Sequence, residues 1–226
     1  MANITVCGGT GYIGRALIER LVADGHSVTA LARSASRSQV PGGARVVEGS
    51  ALDGTDIARA LTDQSTLVLL VGTPRPNPFK AREFNAVDLQ SVNAAVSAIR
   101  RASVAHVVYV SVAHPAPVMK AYIAVRTEGE RLLTATGVPL TVLRPWYVLG
   151  TPTLVADRLG AVLQAVRATA AHARHRTATR PGDACADGRR AGPGQRKRRS
   201  QRRTCDRRPG NSSLRSGIQK RPAVVE

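Results

Sequence analysis

Aromatic side chains are scarce in this 226-residue chain: one Trp, four Tyr and two Phe. The last of them is Tyr147, so the C-terminal part has no ring to anchor a core or to stack on a nucleobase. Acidic residues are also few, 15 Asp and Glu against 33 Lys and Arg, for a net charge of +18. The imbalance is uneven. Residues 1–150 hold 15 basic against 10 acidic side chains, and residues 151–226 hold 18 against 5. The three cysteines, Cys7, Cys185 and Cys205, are odd in number and far apart. This excludes a paired disulfide framework, and they show no metal-ligand spacing. Cys7 sits in an apolar run and is expected to be a buried thiol. No basic stretch followed by a long apolar one opens the chain, so no signal peptide is expected. The longest apolar run, Leu67 to Val71, is too short to cross a bilayer. These absences point to a cytoplasmic protein that does not enter a membrane.

What is present is an alternation. Ile4–Cys7, Val28–Leu31, Arg45–Val47, Thr66–Val71, Val107–Val110 and Leu140–Leu143 read as strands. Helical spacing separates several of them, at Leu17, Leu21 and Val22, at Val87, Val92, Val96 and Ile99, and from Ile123 to Leu133. The continuous run Leu67–Val71 suits a strand covered on both faces. Strands alternating with helices predict an α/β domain, a doubly wound parallel sheet with right-handed crossovers. The segment from Gly72 to Lys80, with Pro74, Pro76 and Pro78, follows a central strand at the end where open sheets place ligands.

The sharpest local signal is Gly8-Gly9-Thr10-Gly11-Tyr12-Ile13-Gly14, which follows a strand and opens an amphipathic helix. Gly8 allows a tight turn, Gly11 leaves room for a diphosphate against the backbone, and Gly14 lets helix and strand pack closely. The helix start offers unused N–H groups and partial positive charge to phosphates. At the end of the second strand, where an acid commonly holds the ribose hydroxyls of NAD, stand Arg33, Ser34 and Arg37. A guanidinium can grip a 2′-phosphate that a carboxylate would repel, so NADP is expected over NAD. Leu52 and Asp53 after the third strand, and Val71 and Gly72 after the fourth, complete the expected cofactor contacts. Asp53 could meet the adenine amino group or cap a helix.

These residues resemble the atypical or extended short-chain dehydrogenase/reductase superfamily, near NmrA-like regulators, sugar epimerases and complex I accessory subunits. The resemblance covers residues 2–150. It rests on Gly8–Gly14, Glu48-Gly49 with Asp53, Val87-Asp88 with Asn93-Ala94-Ala95, Tyr109–Val112, Tyr122 with Arg126, and Leu143-Arg144-Pro145 running to Gly150. It implies a Rossmann sheet of order 3-2-1-4-5-6. It also implies a catalytic Ser111 that polarises substrate, a Tyr122 that moves the proton, and a cation four residues on. That cation is a Lys in catalytic members and is Arg126 here. Arg is wider, keeps its proton and forms a planar fork, so the exchange is not conservative. The spacing from Tyr122 to Arg126 places both on one helical face. His106 and His114 have no telling partners and are expected on the surface and in a loop. Trp146 or Tyr147 could wall a pocket or simply pack.

Beyond Gly150 the composition turns to Arg, Gly, Pro, Ala and Ser, with Arg196-Lys197-Arg198-Arg199 and Arg202-Arg203. Leu154–Val166 could form one helix, and the rest offers little to bury and is expected to be disordered. Residues 151–226 thus read as a basic low-complexity tail in place of the usual substrate lobe. Such a composition also arises when a GC-rich coding region is read out of frame. A one-base shift through synonymous codons turns Asp183–Gly194 into an amphipathic pattern and restores aromatics after Gly150. Resequencing around the Gly150 codon tests this. Three functions are expected to compete. One is an NADP-dependent oxidoreductase or epimerase-like enzyme acting on a small carbonyl or hydroxyl compound. Another is a non-catalytic NAD(P)H sensor or assembly factor. The third is nucleic-acid binding through the tail by counterion release.

Overall fold

In the computed structural model, described residues are 1–113, 119–145 and the backbone of 223–225. Seven strands form one parallel sheet of order β3-β2-β1-β4-β5-β6-β7. They are β1 (Asn3–Cys7), β2 (Ser27–Ala32), β3 (Arg45–Glu48), β4 (Ser65–Leu69), β5 (Val104–Val110), β6 (Leu140–Leu143) and β7 (Ala223–Val225). The helices are α1 (Tyr12–Ala23), α2 (Gly54–Ala60), α3 (Ala81–Glu83), α4 (Gln90–Ile99) and α5 (Lys120–Thr134). A 3₁₀ turn spans Ser34–Gln39, and a π-helical segment, Phe84–Leu89, joins α3 to α4. The first six strands stand in the order expected from sequence. The segment expected to be disordered beyond Gly150 lies outside the described residues except at Ala223–Val225, where the backbone pairs in parallel with β6, Val142 opposite Val224. The helix read at Leu154–Val166, the basic clusters, His114, Trp146 and Tyr147 also lie outside the described residues.

Alternation along each central strand sends neighbours into different cores. Val6, Ala30, Val68 and Val108 pack on α1 through Leu17, Ile18 and Leu21. Cys7, Leu31, Leu67, Leu69, Val107 and Tyr109 pack on the opposite face with Ile57, Val92, Ala95 and Leu133. Each buried Leu or Ile contributes roughly 1.5–3 kcal/mol by leaving water, so both faces must stay covered, and the strands read as unbroken apolar runs for that reason. Register is fixed at the centre: Ile4 lies between Val28 and Thr66. Cys7 is fully buried and its thiol is pushed up to about 12 by desolvation.

One expectation is corrected here. His106 is not a surface residue: it is only 3% exposed and its Nε2 shares a 2.9 Å hydrogen bond with Thr141 Oγ1. β5 begins at Val104, earlier than its apolar run suggests, and carries the ring inside. Burial lowers the imidazole to about 4, so it is neutral in the fold.

Candidate functional site

The C-terminal ends of β1, β2, β3 and β4 open onto a cleft of about 400 Å³. Its wall includes Gly8, Thr10 and Gly11 from the turn after β1, Leu31, Ala32 and Arg33 at the end of β2, and Gly49–Leu52 after β3. Leu70–Gly72, Pro74 and Val87 close it beyond β4. In an open α/β sheet the crevice for ligands forms beside the strand where the order reverses, and β1, between β2 and β4, is that strand.

Three of the turn's four glycines, Gly8, Gly11 and Gly14, play different parts. Gly8 has φ +93°, and a Cβ there would lie 2.9 Å from the Leu70 carbonyl carbon. A Cβ on Gly14 would fall 2.2 Å from Gly8 O, so α1 could not approach the turn. Gly11 differs. Its backbone is extended, and the nearest atom to an added Cβ is Gly8 O at 3.4 Å. No protein packing demands a glycine there, yet the residue faces the cleft. A bare backbone at the start of the 12-residue α1, with no acidic residue in its first turn, fits a diphosphate. The residues present therefore suit a dinucleotide.

Of the remaining expected cofactor residues, Arg33, Leu52, Val71 and Gly72 line the cleft, and Arg33 is exposed. Tyr12, Ile13, Ser34, Arg37 and Asp53 are not among its lining residues. Asp53 caps α2, accepting a 2.7 Å hydrogen bond from Thr55 N. Ser36 takes a lining position that Ser34 and Arg37 do not. Gly49, Ser50, Ala51 and Leu70 were missed as wall residues, although their place directly after strands is the signal that could have found them.

The residues expected to do chemistry are held elsewhere. Arg126 is 5% exposed. Its Nη2 donates to Asp88 Oδ1 at 2.6 Å, and its Nη1 to Val110 O at 3.0 Å and Tyr109 Oη at 3.4 Å. Both terminal nitrogens also reach Val71 O at 3.3 Å. Burial disfavours its charge, but Tyr109, Tyr122 and Asp88 outweigh this and leave its pKa raised. Burial raises the Tyr109 phenol against the opposing pull of Arg126. Tyr122 is half-buried, with its ring centroid 5.1 Å from the Arg126 guanidinium carbon and 4.9 Å from the Phe84 ring. Tyr122 and Arg126 are thus brought together as the helical spacing predicted. Ser111 is buried and donates its hydroxyl to Glu130 Oε1 at 2.5 Å. Glu130 also accepts from Arg144 Nε at 3.1 Å and Nη2 at 2.5 Å. Neither Asp88 nor Glu130 stood out as a site residue. An acid between Val87 and Leu89 on an otherwise apolar helical face was the available hint. Among the described residues no group of three or more His, Cys, Asp or Glu could hold a metal ion, and no helix is long and apolar enough to cross a membrane.

Sheet order, the switch-point cleft and the bare helix start define a dinucleotide-binding domain of the Rossmann type. The sequence model of the NAD(P)H-binding family matches residues 8–175, and the chain belongs to that family. Among solved structures, the Bordetella bronchiseptica enzyme WbmG in complex with NAD is 25% identical with a TM-score of 0.54, over 63% of this chain and 52% of that one. A Bacillus cereus UDP-glucuronic acid 4-epimerase in complex with NAD is 16% identical with a TM-score of 0.55, over 66% and 57%. A Staphylococcus aureus nucleoside-diphosphate-sugar epimerase is 21% identical with a TM-score of 0.51, over 63% and 50%. This chain spans about half the length of these structures. The kinship agrees with the resemblance to extended short-chain dehydrogenase/reductases.

Proposed function

We propose that the chain binds NADP(H) in this cleft as a ligand to be sensed, in the manner of a dinucleotide-responsive regulator or assembly factor. The carrying observation is the exposed Arg33 at the end of β2, on the same wall as the bare Gly11 backbone. A dinucleotide laid over Gly11 would bring its adenosine side toward Arg33, where a paired guanidinium–phosphate contact rewards a 2′-phosphate. The sensor reading draws support from the two groups of catalytic type that are spent on protein partners, Arg126 on Asp88 and Ser111 on Glu130. Titration with NADPH and NADH tests the cofactor. Arg33→Asp should weaken NADPH about tenfold and leave NADH nearly unchanged; equal loss for both, or none, would remove the phosphate clamp.

A second reading is an NADP-dependent oxidoreductase or epimerase-like enzyme acting on a small carbonyl or hydroxyl compound. The observation in its favour is that the Tyr122 ring and the Arg126 guanidinium, 5.1 Å apart, stand together as a tyrosine and a cation do in a proton-transfer pair. Bound nicotinamide would supply the hydride acceptor or donor, and Tyr122 would hold or move the proton at its phenolic oxygen. NADPH oxidation against a panel of carbonyl compounds decides between the readings. Turnover abolished by Tyr122→Phe establishes the enzyme, and none across the panel leaves the sensor.

A further inference from the structure

We propose that Asp88 and Arg126 are a positioning pair that holds the Val71–Thr73 wall in the shape required by the nicotinamide half of the dinucleotide. The inference rests on the nucleotide reading above. The pair grips the two residues on either side of Gly72. Arg126 donates to Val71 O at 3.3 Å. Asp88 Oδ2 accepts from Thr73 N at 3.0 Å and from Thr73 Oγ1 at 2.6 Å. Gly72 between them has no room for a Cβ, which would lie 2.3 Å from Arg126 Nη2. Val71 and Gly72 face the cleft.

The topology says which half of the ligand meets this wall. β2, which ends at Arg33, and β4, which leads into Val71, flank β1 on opposite sides. A dinucleotide with its diphosphate over Gly11 and one ribose near Arg33 extends its other half over the end of β4. A buried ion pair adds little stability compared with apolar packing of the same volume. What it can add is direction, since a five-donor fork facing a carboxylate fixes both partners. The backbone that presents Asp88 supports the assignment. It lies in the π-helical segment Phe84–Leu89, a rare geometry found mostly at functional sites. The same segment supplies Val87 to the cleft and Phe84 to the Tyr122 ring.

The test is calorimetric titration of the full chain with two probes, NADPH and 2′,5′-ADP, the second of which lacks the nicotinamide half. The double variant Asp88→Asn with Arg126→Gln leaves no lone buried charge. It should lose about tenfold in NADPH affinity and bind 2′,5′-ADP within twofold of the parent. Thr73→Val preserves the ion pair and shape, removes one donor, and should lose about threefold for NADPH alone. This second variant keeps the test decisive if the first does not fold. Unchanged NADPH binding in Thr73→Val or in a folded double variant, or equal losses for both probes, would overturn the positioning role. A parent chain that binds neither probe overturns the nucleotide reading itself, a distinguishable failure.

Discussion

The two sides of the sheet spend polar groups differently. On the β1–β3 side the buried polar side chains are Thr5 and Thr29. On the β4–β6 side they include Thr73, Asp88, Ser91, His106, Ser111, Arg126 and Thr141. The first side meets its ligand cleft with backbone and a solvated Arg33, so its chemistry is what a short motif describes. On the second side most buried polar atoms find a partner within the protein, because an unmatched one costs about 1–3 kcal/mol; Ser65 Oγ and Arg126 Nε are the exceptions among the described residues of that side. Residue type at a motif position therefore reports availability on the first side but not on the second.

Changing Gly14 sharpens this contrast most. Gly14→Ala should destabilise the fold by about 3 kcal/mol, since its Cβ meets Gly8 O and Gly9 Cα. Gly11→Ala, three residues away, should cost only about 0.5 kcal/mol of stability yet weaken nucleotide binding at least tenfold. Urea denaturation paired with NADPH titration separates the two, and equal stability losses would break the distinction between a packing glycine and a ligand glycine.

The buried imidazole on the other side predicts an acid response. His106 has its pKa lowered in the fold, so its contribution is present above the unfolded value near 6.5 and is lost as pH falls toward 4. Between pH 7 and pH 5 the stability should drop by about 2 kcal/mol from this group. His106→Gln should flatten that slope, and a slope unchanged by the substitution would mean the ring is already accessible to protons. Smallest is Ser111→Ala. Its hydroxyl donates to a carboxylate that Arg144 also holds. We expect a loss of about 1 kcal/mol in thermal unfolding; an unchanged midpoint together with lost turnover would return Ser111 to a catalytic role.

These contrasts explain what could be read in advance. The six strands and the glycine turn were legible because each depends on local patterning, apolar runs covered twice and small residues where backbones approach, whereas the strand order came from the family resemblance. α2 was not anticipated, because Gly54–Ala60 has little apolar periodicity and begins on the Asp53 cap. The π-helical turn at Phe84–Leu89 leaves no compositional trace. His106 was misplaced because the apolar run of β5 was dated from Val107, while the strand already starts at Val104. Asp88 and Glu130 matter through partners distant in the chain, Arg126 and Thr73 for Asp88, Ser111 and Arg144 for Glu130, and no short window on the sequence joins them.

The strands are all parallel, and β1 leads out of the sheet directly into the glycine turn. Asn3, at the other end of β1, is therefore separated from that turn by the full height of the sheet, about 17 Å for five residues. A surface tether or a reporter attached ahead of Asn3 would emerge from the base of the molecule and leave the mouth unobstructed. Immobilised-protein measurements of nucleotide capture can use that end without shielding what they seek to detect.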